Sequence, residues 1–244
     1  SNSCAYDAII TVLFNIWQER PDSITADWHE FHSDLLDSLT QRFHRLSSIP
    51  RLVVTPTSSN VQFTLEKIRD SFRQHLAKIS PEFTFGRYTS VHSIFEQILK
   101  TQATAPVIIA DITCPNGHNV DRNRSPTCNG EVVIFGRPGL SLQACLIDFV
   151  LTLHARCPTC GNNLSCTSSF AQTPPLLAFD LSNNFDSTIP MDPVLEISCW
   201  GSHVCYVLKG VVYLANEHFT EHIITDTGMV WYHDGMFTGH SCVY

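Results

Sequence analysis

An α+β fold is predicted from a change of period along the chain. Apolar residues recur at three- and four-residue steps through about the first hundred positions, then alternate from Pro106 onward, with Gly, Pro, Asn and Asp clusters as punctuation. A length of 244 residues suffices for one large domain, and 43% hydrophobic against 16% charged content indicates a substantial core with little disorder. No apolar run approaches transmembrane length and no signal peptide is visible, although the chain opens inside a motif.

The opening stretch, Asn2-Ser3-Cys4-Ala5-Tyr6-Asp7, leads into an apolar run from Ala8 to Trp17 that Pro21 stops. Ile9, Val12, Leu13, Ile16 and Trp17 fit helical spacing, so Cys4 falls in the first turn of a buried helix. Helix N-termini stabilise anions, and a thiol held there beside a histidine is a usable nucleophile at neutral pH. A lone cysteine in this position is more often a small buried apolar residue, so the assignment depends on the partners found further along.

Trp28, Phe31, Leu35, Leu39, Phe43 and Leu46 read as one amphipathic helix, and Leu65, Ile68, Phe72, Leu76 and Ile79 as a second, with Pro50 and Pro56 marking the loop between them. After Pro81 and Gly86, Ser90 is the expected N-cap of a shorter helix carrying Val91, Ile94, Phe95, Ile98 and Leu99. Ordinary helical packing accounts for these residues, and no chemistry is assigned to them.

Val107-Ile108-Ile109 and Glu131 to Phe135 read as strands. Two turn motifs stand between and after them, Cys114-Pro115-Asn116-Gly117-His118 and Cys157-Pro158-Thr159-Cys160-Gly161. Cys-Pro-x-Cys-Gly is a zinc knuckle: the tight turn aims two thiolates at one point, and the glycine lets backbone amides approach the sulfurs. With Cys114 and His118 as the other half, the four side chains make a closed site, which implies one structural zinc per chain, Cys128 being the reserve ligand. A redox Cys-x-x-Cys would open a helix in a thioredoxin-like unit, whereas these surroundings are strand-like. Ser141 to Val150 reads as an apolar helix holding Cys145. The remaining cysteines, Cys166, Cys199, Cys205 and Cys242, read with it as buried apolar residues. Ten cysteines in metal-ligand and catalytic spacings favour a reducing, intracellular setting, cytoplasm or nucleus.

Pro174 to Leu181 carries an apolar core strand, and Ser182 to Pro193 is polar and turn-rich. From Tyr206 to Gly235 three antiparallel strands are expected, broken at Ala215-Asn216-Glu217 and at Asp226-Thr227-Gly228. If the second break is a three-residue loop with Gly228 left-handed, Thr225 pairs with Met229 and Asp234 lies opposite Thr220. His218 then shares a face with Thr220, within diagonal reach of the Asp234 carboxylate. That is the base and its orienting acid, with Cys4 as the candidate nucleophile. His203, His233 and His240 read as surface or loop groups, and His222 as an ordinary strand residue.

These residues resemble the ubiquitin-specific proteases, papain-like cysteine peptidases that release ubiquitin from lysine side chains. Asn2-Ser3-Cys4-Ala5-Tyr6 is similar to their Cys box. Tyr206-Val207-Leu208, the strand from Gly210 to Leu214, Glu217-His218-Phe219-Thr220, Trp231 and Asp234 are similar to their His box. Three positions differ: Glu217 replaces a glycine, Asp234 follows Trp231 one residue early, and Asp7 stands where asparagine is common, a feature shared with relatives that cleave SUMO.

The resemblance implies a single catalytic domain over 1-244, with a helical thumb at 1-100, zinc-bearing fingers at 101-172 and a β-sheet palm at 173-244. It implies Cys4, His218 and Asp234 as catalytic residues. The family's side-chain oxyanion donor falls before Ser1, so Asn2 with the Cys4 N–H is the nearest substitute. The expected activity is thiol-dependent hydrolysis after the terminal glycine of ubiquitin or a ubiquitin-like protein, by a monomer. A net charge of −8 opposes nonspecific nucleic-acid binding and suits the basic tail of such a modifier. The alternative is a catalytically silent, zinc-stabilised module that binds the modifier. Retention of all three triad types in order favours the enzyme.

Overall fold

The computed structural model describes residues 4–48, 64–101, 108–120, 133–151, 156–183, 189–199, 202–235 and 243. The helices are α1 (Cys4–Glu19), α2 (Pro21–Glu30), α3 (Asp34–Ser48), α4 (Leu65–Ile79), α5 (Val91–Ile98) and α6 (Leu142–Leu151). The strands are β1 (Ile108–Thr113), β2 (Val133–Phe135), β3 (Ser165–Phe170), β4 (Ala178–Asp180), β5 (Val194–Cys199), β6 (Ser202–Val207), β7 (Gly210–Ala215), β8 (His218–Ile224) and β9 (Val230–His233). They form two units, Ser1–Ile98 with Lys209–Tyr244, and Leu99–Leu208.

In the first unit α1 is the hub. It packs against α2, α3, α4 and α5 on one side and β7 and β8 on the other. A helix enclosed in this way must be apolar nearly all round, which is why Tyr6, Ile9, Ile10, Leu13 and Trp17 are all buried. At Gly210 a Cβ would lie 2.6 Å from Val12 Cγ1, so the missing side chain is what lets α1 approach β7 this closely.

The single helix expected from Trp28 to Leu46 is two. His32 adopts φ +58°, and Ser33, buried beside it, donates its hydroxyl to Ile98 O at 2.6 Å. The apolar spacing continues through the break because Trp28, Phe31, Leu35, Leu39 and Phe43 all remain buried. Pro21, expected only to stop α1, sits in the first turn of α2, where its missing N–H is tolerated. Ser90 caps α5 as expected, its Oγ accepting from Ser93 N at 2.9 Å.

The three-stranded antiparallel sheet runs β7-β8-β9. Ala215 pairs with His218 across a two-residue loop in which Asn216 and Glu217 have φ +51° and +60°, the signature of a type I′ turn. Between β8 and β9 Thr225 N donates to Met229 O at 3.0 Å, and Gly228 has φ +79°, so the expected three-residue loop and register are present. The apolar alternation from Tyr206 to Leu214 is not one strand: β6 belongs to the second unit and β7 to the first.

The second unit holds a four-stranded sheet ordered β1-β3-β5-β6 and a parallel β2-β4 pair, with α6 packed against β2, β3 and β5. Leu195, Ile197 and Cys199 alternate inward along β5 and Cys145 is buried on α6, but Cys205 is exposed on β6, contrary to its reading as a core residue. The side chain of Cys166, and Cys242, lie outside what is described. Among the described residues no helix is long and apolar enough to cross a membrane.

Candidate active site and metal centre

Three relationships along α1 set its direction relative to β8. At its C-terminal end Glu19 accepts from Asp226 N at 2.9 Å and from Lys209 Nζ at 2.6 Å, just past the end of β8. Midway, Val12 covers Gly210, the register partner of Ile223. Nearer the N-terminus Asp7 is within electrostatic reach of Glu221. The two elements therefore run the same way, with Cys4 the first residue of α1 and His218 the first of β8. Cys4 is half-buried. Lys209 also pairs with Asp226; burial works against its ammonium, but the bonds to Asp226 and Glu19 prevail and raise its pKa.

His218 Nε2 lies 2.9 Å from Asp234 Oδ1. A carboxylate only accepts, so Nε2 carries the proton and Nδ1 is left as the basic nitrogen of the neutral ring. Asp234 is 3% exposed, and its Oδ2 accepts from Tyr232 Oη at 3.2 Å. Burial, followed by that contact with Asp234, raises the Tyr232 phenol above its ordinary value, which keeps it a donor. The ring is thus held by an acid that is itself held. Asn2 lies outside the described residues.

His233, read from sequence as a surface or loop group, is buried at 8% exposure, its Nδ1 2.5 Å from Oε1 of Glu221, which is 2% exposed. The two are direct register partners. The signal was available in the Gly228 loop, which fixes 221 opposite 233. Asp7 is paired with Arg69 of α4 at 2.8 Å.

In the second unit the ligand atoms of Cys114, His118, Cys157 and Cys160 all lie within 4.8 Å of one another. Cys114 Sγ is 3.5 Å from His118 Nδ1 and 3.7 Å from Cys160 Sγ, and Cys157 Sγ is 3.8 Å from His118 Nδ1. A zinc tetrahedron with bonds of about 2.3 Å to sulfur and 2.0–2.1 Å to nitrogen has S–S edges of about 3.8 Å and S–N edges of about 3.5 Å. Three of the six edges match these values, so the donor set could hold such an ion. Gly117 and Gly161, with φ +71° and +72°, close the two turns. The Cys160 N–H and other hydrogen bonds bring the Cys157 thiol down to about 6 against the effect of burial. Cys160 moves up instead, because burial and its thiol neighbours outweigh the Asn162 amide. Cys128 lies outside the described residues.

No family model matches the chain, and no curated protein matches it in sequence. Solved structures do. A chain of the SAGA Ubp8/Sgf11/Sus1/Sgf73 DUB module bound to ubiquitin aldehyde aligns with TM-score 0.55 at 14% identity, covering 100% of this chain and 64% of that one. A variant of that module bound to monoubiquitin gives 0.57 at 12% identity, with 100% and 63% covered. A second variant gives 0.54 at 13%, with 100% and 62% covered. The present chain thus spans a little under two thirds of the solved chains it matches. At these identities the likeness is one of fold alone.

Proposed function

We propose that this chain hydrolyses the isopeptide, ester or amide bond after the terminal glycine of ubiquitin or a ubiquitin-like protein. The single observation that carries the reading is the His218–Asp234 contact at the first residue of β8. The fold supports it, and solved chains of that fold were captured with ubiquitin aldehyde and monoubiquitin.

In this mechanism Nδ1 of His218 takes the Cys4 proton as Sγ attacks the glycine carbonyl. The Cys4 N–H, with Asn2 as the nearest side-chain donor, stabilises the oxyanion. Collapse breaks the C–N bond, the imidazolium gives its proton to the leaving lysine amine, and a thioester remains. Water, deprotonated by His218, then cleaves the thioester and returns the thiol. Asp234 fixes the ring and stabilises its charged form without moving a proton itself. Cys114, His118, Cys157 and Cys160 would hold a zinc ion, which would supply a folding constraint away from the reacting groups.

The test is a ubiquitin bearing a C-terminal electrophile, run beside its SUMO counterpart. One covalent adduct, absent in Cys4→Ala, is expected. Binding of the modifier with no adduct and no hydrolysis makes the chain a silent binding module instead.

A further inference from the structure

Among the described residues, the proposed chemistry leaves a pair of buried titratable groups without a task. Glu221 and His233 face each other across β8 and β9 at 2.5 Å. The groups around them include Asp7 of α1, held by Arg69 of α4, with Asp234 and Tyr232. Burial is the main influence raising the Glu221 carboxyl; His233 opposes it, while Asp7 and Asp234 add to it. Two apolar side chains would fill this space without desolvating a charge, so packing does not explain the pair.

Its position in the strand does. His233 is the last residue of β9 and Asp234 follows directly. Successive residues point to opposite faces, so a bond that draws His233 to one face turns Asp234 toward the other, where Thr220, its register partner by extension, and His218 lie. We infer that Glu221 and His233 are positioning residues whose buried hydrogen bond pins the end of β9 and sets the Asp234 carboxylate on His218. The kinetic part of this inference rests on the hydrolase reading. The geometric part does not.

The full chain is compared with the apolar double variant Glu221→Leu/His233→Phe and with Glu221→Gln, which keeps an acceptor for His233. Three quantities are read: the low-field N–H proton shared by His218 and Asp234, assigned by its loss in His218→Gln; kcat and KM on a ubiquitin C-terminal amide; and the unfolding midpoint. In the double variant the resonance should disappear and kcat fall about tenfold or more at unchanged KM, while the midpoint stays at or above that of wild type. Glu221→Gln should keep the resonance and most of kcat.

A folded double variant with resonance and kcat intact overturns the inference. Should that variant not fold, His233→Asn, which keeps a donor on a shorter side chain, is read by the same rule. A wild type that shows the resonance without turnover sinks the hydrolase reading alone, and loss of the resonance in the double variant still supports the positioning role.

Discussion

His218 donates to Asp234 from a neighbouring strand, diagonally displaced in register, at 2.9 Å. The distance results from two local features, the three-residue Gly228 loop that sets the parity of β9 and the place of His218 as the first residue of β8. A one-residue slip would turn the carboxylate to the wrong side.

The two residues therefore differ in what their loss removes. His218→Ala takes away the proton carrier and should abolish nearly all hydrolysis. Asp234→Ala leaves the carrier poorly oriented and should lower kcat by a smaller factor, about 10²-fold. Equal losses in steady-state kinetics would contradict this division of roles.

Glu217 holds φ +60° in the turn just before His218, where the resembled family has glycine. A side chain in that conformation costs about 1 kcal/mol, so Glu217→Gly should stabilise the fold by about that amount in denaturant titrations. A destabilised variant would mean that the Glu217 side chain makes a compensating contact.

Gly210→Ala should destabilise by about 1–3 kcal/mol, because the new methyl would press Val12. Val12→Ala in the same chain should recover part of that loss, which a double-mutant cycle measures. Additive losses would show that the close approach of α1 to β7 is not what the glycine serves.

Purified protein should contain one zinc per chain, and Cys157→Ser should lower that content. Structural zinc contributes on the order of 10 kcal/mol to modules of this kind, so chelation should bring down the melting temperature sharply. A metal-free sample with an unchanged melt would remove the structural role.

Much of this arrangement was legible because its determinants are local. The Ser90 cap, the Gly228 loop and the Cys-Pro-x-Cys-Gly knuckle each state their geometry within a few residues. The break between α2 and α3 was not, since it turns on a left-handed His32 with no glycine or proline to mark it. The apolar alternation running from β6 into β7 hid a boundary that only long-range pairing reveals. His233 looked like a surface group because polar residues on a strand are usually exposed, and its burial with Glu221 follows only from α1 lying on that face.

The most direct measurement is the mass of the protein after incubation with ubiquitin carrying a C-terminal electrophile. The account expects one added modifier per chain, mapped by proteolysis to Cys4 and absent in Cys4→Ala, which should keep the wild-type melting temperature. An adduct on another cysteine, or hydrolysis near the wild-type rate in Cys4→Ala, would contradict it.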